Sequence, residues 1–77
     1  MIRMYTTPWC GYCVRLKAQL QRAGIPFEEI DIENEPAAAD FVMSVNGGNQ
    51  TVPTVVFPDG FAVTNPSIAE VQNRLAA

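Results

Sequence analysis

Cys10 and Cys13 are the only thiols in this 77-residue chain, and two residues separate them. They fall where an apolar segment gives way to a helical pattern, inside Trp9-Cys10-Gly11-Tyr12-Cys13. Cysteines at i and i+3, one at the start of a helix and one a turn later, are close enough to close a disulfide. They are equally close enough for one to attack a bond formed by the other. A free thiol, with a pKa of about 8.5, is only a few per cent ionised at neutral pH. The unpaired amides of a helix N-terminus contribute up to ~2 kcal/mol toward an anion placed there. Cys10 sits at that end and is expected to be the nucleophile, with Cys13 its partner. Two other uses of the pair are weaker. A staple across so small a loop stabilises little, and a zinc site wants four ligands where the chain offers two cysteines and no histidine.

The flanking elements must position this pair. Ile2–Thr6 reads as a short strand broken by Thr7-Pro8, with Arg3 facing away or at its edge. From Tyr12 to Ala23 the pattern is helical, with Cys13, Leu16, Leu20 and Ala23 on one face. Gly24 and Pro26 end it. This spacing puts Cys13 inward and offers Cys10 to solvent at the tip. Trp9 and Tyr12 either pack around the sheet or wall a groove beside Cys10, and Tyr12 is the better candidate because Cys13 and Leu16 claim the inward face.

Phe27–Ile32 is a second strand, completing with the first helix a βαβ unit with parallel strands. Asn34 or Glu35 is placed to cap a helix with Pro36 in its first turn. The apolar stripe of that helix is Ala38, Phe41, Val42 and Val45, and Asn46-Gly47-Gly48 ends it. Thr54–Phe57 is a third strand, with Pro53 at its beginning or edge and Val52 held extended. Pro58-Asp59-Gly60 turns the chain into an antiparallel return over Phe61–Val63. The last helix begins with either a Ser67/Glu70 capping box or an Asn65 cap and Pro66 as first residue. Ile68, Val71 and Leu75 form its apolar face.

Size and charge narrow the possibilities. A chain this short is expected to form a single domain over 1–77 and to bury roughly 60% of its unfolded surface. The net charge of −3 argues against nucleic acid or an anionic membrane as partner. No targeting segment is visible, and nothing approaches the ~20 apolar residues of a membrane span. The expected location is the cytoplasm, where a Cys-x-x-Cys pair is redox-active or metal-binding more often than structural.

The order β-α-β-α-β-β-α implies an α/β fold, a four-stranded mixed sheet with three helices. With Cys-x-x-Cys between the first strand and first helix it resembles the thioredoxin fold, and in detail the glutaredoxins. The residues carrying the resemblance are Thr6-Thr7-Pro8-Trp9-Cys10-Gly11-Tyr12-Cys13, Thr51-Val52-Pro53 and the glycine-containing turn before the last helix. Ser44–Asn49 and Thr64-Asn65-Pro66-Ser67 look like the mycoredoxins of actinobacteria, which use mycothiol rather than glutathione. The resemblance implies that Pro53 follows a cis bond, against the base rate of about 5–6%, and faces the reactive cysteine. It leaves the Val52 backbone to pair with the substrate's cysteine.

Asn65, Pro66 and Ser67 are a helix cap in one reading and part of the small-thiol site in the other. Glutathione-using relatives have an acidic Gly-Cys-Asp-Asp-like segment there, and a basic residue before the motif. Both are missing, which suits the uncharged acetylcysteine-sugar of mycothiol. The chain is thus expected to be a monomeric thiol–disulfide oxidoreductase acting on mixed disulfides between proteins and a low-molecular-weight thiol. Mycothiol, or else glutathione, is its co-substrate, and no cofactor is tightly bound. Two alternatives remain. One is an electron donor to ribonucleotide reductase recharged by thioredoxin reductase, though Ala62–Pro66 lacks the Trp-Ser-Gly-Phe-like segment of those redoxins. The other is an iron–sulfur cluster shared between two chains, which Gly11, in place of a common proline, would permit.

Overall fold

The strand Ile2–Thr6 (β1) occupies the middle of the molecule, because both of its faces and both of its edges are used. The computed structural model describes residues 1–76. It pairs β1 in parallel with Phe27–Asp31 (β2), in register from Ile2 opposite Phe27 to Thr6 opposite Asp31. On its other edge β1 runs antiparallel to Thr54–Val56 (β3), with Met4 opposite Val55. Ala62–Thr64 (β4) completes the sheet on β3, giving the order β2-β1-β3-β4. The four-stranded mixed sheet and the element order agree with the sequence reading.

Alternation along the strands separates two apolar layers. Ile2, Met4, Val55 and Phe57 pack on one face with Cys13, Leu16 and Leu20 of the helix Gly11–Arg22 (α1) and Val71 of Ile68–Ala76 (α3). Tyr5, Val56 and Ile32 pack on the other with Val42 of the helix Pro36–Val45 (α2). There the rings of Tyr5 and Phe41 lie 5.1 Å apart, within the range of favourable aromatic pairs. Met4, Leu20, Val42, Val55 and Val71 are fully enclosed, each contributing about 1.5–3 kcal/mol by leaving water. Arg3 alone breaks the burial of β1.

Local chemistry sets the ends of the elements. Helix α1 stops in a Schellman arrangement: the Ile25 amide donates to Leu20 O at 3.0 Å and the Gly24 amide to Gln21 O at 3.1 Å, with Gly24 at φ +72°. At the hairpin, Gly60 at φ +90° donates to Phe57 O at 2.9 Å, and the Asp59 carboxylate accepts from the Phe61 amide at 3.0 Å. The start of α3 is settled in favour of the capping box. The Ser67 hydroxyl accepts from the Glu70 amide at 3.1 Å, and the Glu70 carboxylate accepts from the Ser67 amide at 3.0 Å.

Several expectations are corrected. Glu35 stands at the cap position of α2 but its side chain makes no cap hydrogen bond, and the Asn34 amide instead donates to Asp31 at 2.9 Å. Val45 and Leu75 face outward at 42% and 41% exposure, and Ala23 is exposed as well. In each case the residue is in the last turn or at the cap of its helix, where the stripe has rotated past the sheet.

Removing the box oxygen should be measurable. Ser67→Ala is expected to cost about 1 kcal/mol, lowering the melting temperature by about 4–8 °C in a domain this small. Calorimetry under reducing conditions checks this, and an unchanged melting temperature would show that the cap contributes nothing.

Candidate active site

Cys10 is the N-cap of α1 as well as the first residue of the motif. Its backbone is extended (φ −84°, ψ 112°), which turns its side chain back over the first helical turn, and its Sγ accepts a hydrogen bond from the Cys13 amide at 3.1 Å. The Cys10 thiol also points at Val52 O, 3.8 Å away. These contacts differ in kind. The first survives ionisation of the sulfur and strengthens with it, whereas the second requires the thiol proton.

The expectation that Cys10 is offered to solvent is corrected: it is only 6% exposed, packed in the same apolar cluster as Cys13, with Val52 against it. A position at a helix tip does not say what lies over the tip, and here the loop before β3 does. Cys13 is inward as expected, at 2% exposure. Burial above all, and the hydrogen bond with Cys10, push its thiol up to about 12, against a smaller opposing effect of the Thr7 backbone. Both cysteines are free thiols.

Beneath them, Lys17 Nζ lies 2.8 Å from the Glu29 carboxylate, to which the Thr6 hydroxyl also donates at 3.1 Å. The Lys17 ammonium holds the Glu29 carboxyl below its usual range, with Thr6 adding to the effect and partial burial opposing it. Both partners are over a third exposed, so the pair is worth little to stability.

The Val52–Pro53 peptide is cis, and Pro53 is buried beside β3. Its carbonyl accepts from the Asn65 amide at 2.7 Å, joining this loop to the start of α3. Asn65 adopts φ +47°, a left-handed conformation that asparagine tolerates better than most residues. Tyr12, 65% exposed, lines a cavity of about 370 Å³ together with Asn65, Pro66 and Ser67. The structure therefore brings these four sequence-selected residues together. Trp9 lies outside that cavity: its ring is 72% exposed, and its Nε1 donates to Glu33 at 2.7 Å in the loop after β2.

Sequence reasoning missed the floor and far end of the cavity, supplied by Arg15, Leu16, Gln19, Ile68 and Glu70. The only signal is the helical spacing of Arg15, Leu16 and Gln19 from Tyr12, at i+3, i+4 and i+7 on α1; Ile68 and Glu70 come from α3. Among the described residues no group of three or more histidine, cysteine or carboxylate side chains is gathered for a metal, and no helix is long and apolar enough to cross a membrane.

A β2-β1-β3-β4 sheet with Cys-x-x-Cys at the head of its first helix, opposite a cis-proline, defines a thioredoxin-like protein of redox type. The thioredoxin-like protein BC3987 superimposes with a TM-score of 0.79 at 32% identity, over 95% of this chain and 97% of its own. The glutaredoxin family model matches residues 2–62. A Mycobacterium tuberculosis protein bearing the name glutaredoxin is 58% identical over 74 residues, 96% of this chain and 88% of the relative. Mycoredoxin 1 of Corynebacterium glutamicum is 41% identical over 76 residues, 99% and 94% of the two chains. The chain belongs to the glutaredoxin family and is a thiol–disulfide oxidoreductase. The family acts on protein disulfides with a low-molecular-weight thiol as co-substrate and without a tightly bound cofactor.

The raised Cys13 value has a pH signature. A thiol kept protonated by the fold contributes stability below its ordinary value of 9.0, and this is lost as pH rises from there toward about 12. Urea unfolding of the reduced protein across that interval should show stability falling with pH, and the slope should flatten in Cys13→Ser. Equal slopes in the two proteins would contradict the assignment.

Proposed function

We propose that Cys10 attacks, as the thiolate, the small-thiol sulfur of a mixed disulfide between a protein and mycothiol. The Cys10–mycothiol bond forms, the bond to the protein thiol breaks, and the protein thiolate leaves and takes a proton. A second mycothiol thiolate then attacks the mycothiol sulfur on Cys10. Oxidised mycothiol departs and the Cys10 thiolate is restored, so two small thiols supply the two electrons. The observation that carries this reading is the 3.1 Å hydrogen bond from the Cys13 amide to Cys10 Sγ at the first turn of α1, a donor placed for a sulfur anion.

The other residues take supporting roles. Ionisation of Cys10 removes its contact with Val52 O and leaves that carbonyl, next to Pro53, to hold the backbone of the incoming cysteine. Tyr12, Asn65, Pro66 and Ser67 flank the small thiol. Trp9 presents its exposed ring to the protein half. Cys13 is the resolving thiol of a slower second route. Burial pushes its thiol up to about 12, so Cys13 is almost wholly protonated at neutral pH. Part of that elevation comes from Cys10 itself and disappears once Cys10 is bonded, but the burial remains. A monomer in a reducing compartment such as the cytoplasm suffices for this cycle.

The choice of mycothiol rests on the neutral corner at Asn65–Ser67 and on the full-length similarity to mycoredoxin 1. Two measurements test the reading. On one peptide carrying either small thiol, the mycothiol disulfide should be reduced at least about tenfold faster than the glutathione disulfide, and equal or reversed rates would overturn the choice of thiol. Cys10→Ser should abolish turnover while Cys13→Ser keeps most of it with excess mycothiol. The opposite ranking would overturn the assignment of roles.

A further inference from the structure

We infer that the cleft between α1 and α3 is the subsite for the sugar portion of the small thiol, with Arg15 and Gln19 as its specificity-determining side chains. This rests on the reading of a sugar-bearing thiol as co-substrate. The cleft is the 370 Å³ cavity whose near end is Tyr12, Asn65 and Pro66. That end adjoins the reacting sulfur along two paths. Tyr12 is two residues from Cys10 on the first turn of α1. Asn65 is hydrogen-bonded to Pro53, whose neighbour Val52 touches Cys10 Sγ. On this inference the remaining atoms of a thiol bonded to Cys10 enter the cleft at its Tyr12–Asn65 end.

From there the cleft follows α1 through Arg15 and Leu16 to Gln19. The seven helical steps from Tyr12 to Gln19 span about 10 Å, and the volume lies within the usual range for small-ligand sites. This is more length than the acyl-cysteine part needs, and leaves room for a sugar.

The lining matches a neutral polyol. Arg15 and Gln19 make no side-chain hydrogen bond or ion pair among the described residues; Arg15 is exposed and Gln19 half-buried. The Glu70 carboxylate spends one oxygen on the Ser67 amide, leaving the other able to accept. Sugar hydroxyls donate and accept, so a wall with a guanidinium, an amide and a carboxylate satisfies them without a net charge to attract a charged peptide. Leu16 and Pro66 are the buried apolar floor, and the Tyr12 ring offers a face for the C–H surface of a sugar.

The test compares one peptide disulfide-linked either to mycothiol or to N-acetylcysteine, which keeps the acyl-cysteine and lacks the sugar. Arg15→Ala and Gln19→Ala replace one exposed and one half-buried helical residue with the best helix former, and circular dichroism and melting confirm that each folds. The wild type should prefer the mycothiol peptide in kcat/KM. Each substitution should lower that preference about five- to tenfold, as expected for one lost hydrogen bond to a ligand, through KM rather than kcat. A preference within twofold of wild type in both variants overturns the subsite while leaving the proposed chemistry standing. If the wild type itself shows no preference for the mycothiol peptide over the N-acetylcysteine and glutathione ones, the sugar-thiol reading falls and the subsite with it.

Discussion

One hydrogen bond, from the Cys13 amide to the Cys10 sulfur, ties the folding of this molecule to its chemistry. Helix starts are ordinarily capped by the oxygen of a serine, threonine, aspartate or asparagine. Here the capping atom is the sulfur of Cys10. An ionised sulfur is a better acceptor than a neutral one, so the state that suits the helix is also the state that can attack a disulfide. When Cys10 is bonded to another sulfur it loses that charge, and the first turn of α1 is less well satisfied. Stability of the helix start and release of the bound thiol thus favour the same direction of exchange.

That bond is only as well placed as the helix that presents it. Leu16 and Leu20 seat α1 on β1 and β3, and the Schellman turn at Gly24 closes its far end. β1 can hold both layers because it is an interior strand, buried on each face except at Arg3. The cis-proline loop is bound from the other side through the Asn65 amide. Residues from both ends of the chain therefore converge on Cys10, and a chain of this size has little further core to absorb a change in any of them.

Much of this was legible in the sequence because it is periodic or local. The apolar stripe of Leu16 and Leu20, the alternation in β1, the Pro58-Asp59-Gly60 turn and the Ser67/Glu70 box each follow from short-range rules, and they place the Cys-x-x-Cys pair at the strand–helix junction. The cis bond at Val52–Pro53 came from family resemblance, since the base rate argues against it. What was not legible depends on residues far apart in the chain. Cys10 looked exposed because nothing near it in sequence announces that the loop around Val52 closes over it. Nothing local marks Arg15 and Gln19, because the cavity they line exists only once α3 lies beside α1. Asn34 looked like a cap because the competing carboxylate of Asp31 belongs to the preceding strand.

The two cysteines, one turn apart and packed in the same apolar cluster, differ in their polar partners. Cys10 has an amide aimed at its sulfur, whereas Cys13 is packed among apolar side chains that oppose its ionisation. Position within the turn creates the difference: the cap residue faces the free amides, and the residue three places on faces the core. A pair of this kind does not share the work evenly. The first thiol has the amide donor, and the second can act only after losing a proton that its surroundings hold tightly. A small thiol in solution meets no such barrier, which is why the proposed sugar subsite bears on which partner ends the cycle.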